Sequence, residues 1–123
     1  MQDKNNAPMQ NVRRIADRFP FETRIRIRVA RGGQTLALGG WTRDLSETGV
    51  SAFVAEAIEH GEEVELDVPL GDGVHPTIPA RTVRSLGTQY GFEFTALSAA
   101  QRAGIRAVTK GKAPLTNSRG NPD

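Results

Sequence analysis

Between Thr23 and Val29 the chain alternates strictly: Thr23, Ile25, Ile27 and Val29 are separated by Arg24, Arg26 and Arg28. A period of two puts successive side chains on opposite faces of an extended backbone, so one face is buried and the arginine face meets water. The pattern returns after Gly61, where Val64, Leu66 and Val68 alternate with Glu63, Glu65 and Asp67, and Pro69 with Gly71-Asp72-Gly73 closes the run. Between and beyond these two runs lie further short segments of the same kind. Gly32-Gly33 makes a turn into a second strand over Thr35 to Thr42, whose Gly39-Gly40 pair predicts a bulge or sharp bend. Val50, Ala52 and Val54 supply a third strand; Ile78, Ala80, Thr82 and Arg84 form one face of a fifth; Tyr90 to Phe94 makes a sixth after a turn at Gly87. The last element changes period. Ser98 with Gln101 three residues on matches a capping box, Ile105 and Val108 face a core from the helix that follows, Leu97 packs beneath it, and the helix stops near Gly111. Six short strands and one helix predict an all-β fold: a six-stranded antiparallel β-barrel, closed so that no long edge is exposed, with a C-terminal α-helix plugging one end.

A chain of 123 residues is enough for one such domain and, as a rule, too short for two. Residues 1–11 and 112–123 are polar or rich in Pro, Gly, Asn and Ser without periodicity and read as disordered tails, leaving residues 12–111 for the barrel with its N-terminal arginines and its helix. No apolar run approaches the ~20 residues of a membrane span, and the first ten residues lack the apolar stretch of a secretory signal, so a soluble protein is expected, with no membrane insertion. There is no cysteine, which excludes disulfides, thiolate metal sites and a cysteine nucleophile, and fits a cytoplasmic location.

Nothing in the titratable residues converges on catalysis. His60 and His75 are the only histidines and lie far apart, and Glu62, Glu63, Glu65 and Asp67 have the spacing of a solvated strand face rather than of a carboxylate pair. The glycine turns have neither the lysine nor the helix of a phosphate loop. The informative residues are arginines, thirteen against three lysines at a net charge of only +2. A solubilising surface uses either residue, whereas planar, bidentate recognition of phosphate or of a guanine edge calls for guanidinium. Arg-x-x-x-Arg occurs as Arg14/Arg18, Arg24/Arg28 and Arg102/Arg106. The second copy lies on a strand face and the third on a helix surface; the first, preceded by Arg13, belongs to no apolar period. A second constellation, Asp44-Leu45-Ser46-Glu47-Thr48-Gly49, joins the second and third strands. As a plain turn it would have Asp44 and Ser46 bonding nearby backbone and Gly49 at a positive φ. The same turn also leaves a carboxylate and a hydroxyl at the barrel mouth.

These two motifs in this order, ahead of a barrel pattern and a Tyr90-Gly91-Phe92-Glu93-Phe94 strand leading into a helix, resemble the PilZ domain family over roughly Val12 to Lys110. The resemblance implies a stand-alone six-stranded barrel that binds the bacterial second messenger cyclic di-GMP. It makes Arg14 and Arg18 the two arginines of an N-terminal clamp and Asp44, Ser46 and Gly49 the named positions of the loop. Chemistry agrees: a guanidinium can fork onto a phosphate or onto guanine O6/N7 and can stack on a base, while Asp44 can accept from guanine N1–H and its amine. Through its arginine at position 13, just before the clamp pair, the resemblance further implies two intercalated ligand molecules per chain. Asp17, between the clamp arginines, could pair with one of them, at a cost of at most about 1 kcal/mol. The expected protein is a sensor without catalysis or cofactor, reporting through an unknown effector protein in motility, polysaccharide synthesis or regulation. Two other readings compete with it. One is a PilZ-like adaptor without ligand binding; the other is a small basic nucleic-acid-binding barrel, disfavoured because Phe53, Phe92 and Phe94 look committed to the core and leave only Trp41, Phe19 and Phe21 for stacking.

Overall fold

A computed structural model of the chain describes residues 17–115. Seven strands and a helix follow in order: β1 Phe19–Pro20, β2 Arg24–Arg31, β3 Gln34–Leu45, β4 Gly49–Val54, β5 Glu63–Asp67, β6 Thr77–Leu86, β7 Gln89–Phe94 and α1 Ala99–Thr109. Every pairing is antiparallel. The six long strands run β3-β2-β5-β6-β7-β4, and β4 returns to β3, which closes the barrel. β1 is an addition to the six expected strands, pairing Phe19 with Leu45 and Pro20 with Asp44 at the far end of β3. Thr42 ties the step between β1 and β2, since its hydroxyl accepts from Thr23 N at 2.8 Å and donates to the Phe21 carbonyl.

The alternating apolar residues fill the interior as their period requires. Ile25, Ile27 and Val29 from β2 meet Val64, Leu66 and Val68, and the core is completed by Leu45, Ile78, Phe92 and, from the helix, Ile105. Two aromatic expectations are corrected: Phe21 is buried, while Phe53 is 44% exposed. Val50, Ala52 and Val54 occupy the inner face of β4, so Phe53 between them points outward.

The irregularities fall where pairing, not composition, puts them. Register runs unbroken through Gly39 and Gly40 against β2, and no bulge occurs there. Gly40 serves close approach instead, because a Cβ on it would stand 2.9 Å from the Phe53 carbonyl oxygen and 3.1 Å from Ile25 Cγ2. The register shifts at Arg43, so that Asp44 and Leu45 are both buried although adjacent. A second shift at Val83 carries Arg84 out of the inner face expected for it and sets it opposite Gly91.

The arginine face of β2 is only partly solvated. Arg28 is about one-quarter exposed and forks onto Asp67, its Nη2 lying 2.9 Å from Oδ1, and Asp67 accepts also from Thr77 Oγ1 at 2.8 Å. Arg31 forks onto Glu62 with both contacts at 3.0 Å. The capping box forms as its spacing requires: Gln101 N donates to Ser98 Oγ and Ser98 N to Gln101 Oε1, each at 3.0 Å. The same Gln101 donates its side-chain amide to the His75 and Thr77 carbonyls at 2.8 Å, which fixes α1 to the entry of β6. Gly104 lets α1 approach Leu70, since a Cβ there would lie 3.1 Å from Leu70 Cβ. Beyond α1 the chain turns back. Lys112 donates to the Pro20 carbonyl at 2.8 Å and lies over the Phe21 ring, and Leu115 N donates to the Arg18 carbonyl at 2.8 Å, so residues 112–115 pack on the barrel rather than forming the start of a loose tail. Among the described residues no helix is long and apolar enough to cross a membrane.

Candidate ligand-binding site

Ser46 builds the loop between β3 and β4. Its Oγ accepts from the backbone N–H groups of Thr48 and Gly49 at 3.1 Å each, while Ser46 N donates to the Gly49 carbonyl at 2.8 Å. The hydroxyl is thus taken up by its own turn, and its part in the site is to hold the loop's shape. Gly49 is not at positive φ, which corrects the turn geometry expected of it. Its requirement is space: at the first pair of β4 with β7, a Cβ on Gly49 would lie 2.2 Å from the Phe92 carbonyl oxygen. Asp44, buried by the bulge at Arg43, bonds a side chain rather than backbone, accepting from Ser51 Oγ at 2.8 Å through Oδ2. Its Oδ1 has no hydrogen-bond partner among the described residues.

Arg18, Asp44, Ser46 and Gly49 line one cavity of about 250 Å³. Four of the six expected site residues therefore come together from two distant stretches of sequence. Arg13 and Arg14 lie outside the described residues. Arg18 is exposed, and its position over the cavity is set by the short β1 and by the bond from Leu115 N to its carbonyl.

The cavity has members that sequence reasoning missed: Ser51 from β4, Val83 and Arg84 from β6, and Gly91 from β7. Arg84 lies across Gly91, where a Cβ would be 3.3 Å from its Nη2 and 3.4 Å from its Nε, so the missing side chain makes room for the guanidinium. Glu93 on the rim is paired with Arg81 at 2.8 Å. The arrangement offers a carboxylate acceptor on the floor and guanidinium donors on two sides, which suits a ligand carrying both anionic oxygens and N–H edges.

The loop is also tied to the helix. Glu47 accepts from Arg106 Nε at 2.8 Å and Nη2 at 3.3 Å, with Arg102 Nη1 3.6 Å away, so the two helix arginines are not merely solvated. The bond from Arg106 holds the Glu47 carboxyl below its ordinary range, against the opposing effect of desolvation, and the charges of Arg106 and Arg102 act in the same direction.

The family model for the PilZ domain matches residues 10–111. The chain belongs to the PilZ domain family. Solved PilZ structures share its fold. The PilZ domain of CeSA from a cellulose-synthesizing bacterium superposes with a TM-score of 0.58 at 22% identity, over 76% of this chain and 95% of that one. The PilZ domain of YcgR from Escherichia coli, solved with c-di-GMP, gives 0.58 at 14% identity over 79% and 88%. The inhibitor of motility MotI/DgrA from Bacillus subtilis gives 0.63 at 15% identity, with 79% of this chain matching 49% of that larger one. At these identities the likeness is one of fold. No curated protein matches the chain.

Proposed function

We propose that this PilZ domain is a receptor for cyclic di-GMP that binds its ligand without transforming it and passes the signal to a protein partner. The observation that carries the reading is the single cavity in which Arg18, Asp44 and the Ser46–Gly49 loop meet. Asp44 presents Oδ1 to a guanine N1–H and amine, and Arg18, with Arg13 and Arg14 from the preceding segment, neutralises phosphate or forks onto a guanine edge. Ser46 and Gly49 act through loop shape, and Arg84 adds a guanidinium already seated on the barrel. The arginine at position 13 supports binding of two intercalated ligand molecules, whose four phosphates need more than two cations. Ligand contact with the loop reaches α1 through Glu47 and its arginine pair.

Isothermal titration calorimetry with cyclic di-GMP tests the reading. The native chain should bind two ligands, and Arg14→Ala, Arg18→Ala and Asp44→Ala should each weaken binding by tenfold or more, the size of a lost charge-assisted hydrogen bond of about 1.5–3 kcal/mol. No binding to the native chain, or equal binding across all four proteins, overturns the site; a stoichiometry of one overturns the intercalated pair alone.

A further inference from the structure

On the outer face of the barrel one row of residues crosses five strands in continuous register. Arg24 on β2 lies opposite Trp41 on β3, Trp41 opposite Phe53 on β4, Phe53 opposite Gln89 on β7, and Gln89 opposite Leu86 on β6. Trp41 is 48% exposed, Phe53 44% and Leu86 80%. Beside Trp41 the next outward position on β3 is Gly39, which lines an open groove of about 1000 Å³ together with Arg24, Arg26, Trp41, Phe53 and Asp67. A Cβ on Gly39 would meet nothing within 4 Å, so the glycine is not required by packing. Arg28 and Arg31 on the same strand are both paired with carboxylates, whereas among the described residues Arg24 and Arg26 make no ion pair: the Asp67 carboxylate opposite Arg26 is taken up by Arg28.

We propose that this row and its groove dock a partner protein through a segment that carries apolar side chains flanked by carboxylates. Three large apolar groups aligned on a barrel face form an apolar centre, and exposed patches of that kind mark interaction surfaces. Aromatic residues with arginine at the margin are the composition of a protein interface. With Asp67 neutralised by Arg28, the groove's charges that make no ion pair among the described residues are Arg24 and Arg26, both positive and both at the β2 end, so the complementary charge on the occupant is negative. Single-stranded nucleic acid needs cations along the whole stacking row, and between Trp41 and Leu86 the row holds only Phe53 and Gln89. The inference goes beyond the receptor reading and does not depend on it. Two residues further along β4, β7 and β6 the same face carries Ser51, Gly91 and Arg84 of the ligand cavity, roughly 7 Å away, so an occupant of the row would border that cavity.

The test places the photo-crosslinking residue benzoylphenylalanine at the position of Phe53 and, as a control across the barrel, of Glu63, in the full chain expressed in its own cells. A protein joined at the first position and absent from the second is then purified, and its affinity is measured for the native chain, Gly39→Val, the double variant Arg24→Glu/Arg26→Glu, and Glu63→Lys. The proposal expects at least a tenfold loss for the groove-filling and charge-reversed variants, none for Glu63→Lys, and an unfolding midpoint like the native one in all of them. Adducts with nucleic acid, adducts only with a second copy of this chain, equal adducts at both positions, no adduct at all, or an affinity indifferent to both variants would each overturn it. None of these outcomes depends on whether cyclic di-GMP binds.

Discussion

Gly49 shows how a glycine can be required without being in a turn conformation. Its backbone has ordinary φ, yet a methyl group there would stand 2.2 Å from the Phe92 carbonyl oxygen, an atom of β7 backbone that cannot swing aside. Gly49→Ala should therefore part β4 from β7 at the edge of the candidate cavity and cost at least the 1–3 kcal/mol of an overpacked core. A urea unfolding midpoint unchanged by the substitution would show that the strands have slack. Thr82 presents the opposite case. It is fully buried on β6 and its hydroxyl is without a hydrogen-bond partner among the described residues. A buried hydroxyl with no partner is destabilising, and Val has nearly the same shape, so Thr82→Val should raise stability by about 1 kcal/mol. The same urea experiment reads it, and a lower midpoint would mean that the hydroxyl has a partner after all.

At the scale of elements, what could be read in the sequence was whatever is local. Alternation is a property of neighbouring residues, so β2 and β5 stand where Ile25-Ile27-Val29 and Val64-Leu66 put them, and the capping box of α1 is spelled by Ser98 and Gln101. A bulge is a property of two strands, and neither the one at Arg43 nor the one at Val83 leaves a mark in a single strand's composition. For that reason the Asp44 loop motif was legible, while Arg84, Ser51 and Gly91, brought to the cavity by pairing, were not. Phe53 could have been placed correctly, because its neighbours Ala52 and Val54 already claimed the inner face. The contact of β2 with β5 and β6 yields a pH prediction. The bond from Arg28 holds the Asp67 carboxyl below its ordinary range, outweighing desolvation and aided by the bond from Thr77 and the charges of Arg28 and Arg26. A carboxyl whose pKa is lower in the folded state contributes stability that is fully present above its unfolded value near 4 and is lost as pH falls through the folded value. For a pair about one-quarter exposed the contribution is on the order of 1 kcal/mol. Asp67→Asn should lose that amount at pH 7 and show a flatter decline of stability below about pH 4. Unfolding curves at pH 7 and pH 3 measure it, and parallel declines for the two proteins would remove the pair from the acid response.

The described residues form a closed barrel whose candidate binding cavity touches parts far apart in the chain: Arg18 before β1, the β3–β4 loop, and the facing strands β6 and β7. At β1 and the residue before it, the Leu115 N–H donates to the Arg18 carbonyl and the Lys112 ammonium to the Pro20 carbonyl, so the chain after α1 holds this edge of the barrel. A ligand that bridges Arg18 to Asp44 would add a cross-link that is not present among the described residues, and the gain should appear as stability of the whole domain, because the cavity draws on β3, β4, β6 and β7. By mass action, cyclic di-GMP at a hundred times its dissociation constant stabilises a one-site receptor by ~2.7 kcal/mol, which for a domain of this size raises the melting temperature by roughly 10 °C. The concentration dependence distinguishes the two stoichiometries independently of calorimetry. With one ligand each tenfold increase in free ligand adds about 1.4 kcal/mol, and with an intercalated pair bound together it adds about twice that. A rise of about 2.7 kcal/mol per decade in a thermal-shift titration, with its onset moved to at least tenfold higher ligand in Asp44→Ala, is the expected result; a rise of about 1.4 kcal/mol per decade would leave the receptor intact and remove the second ligand, and a flat line for the native chain would remove the receptor.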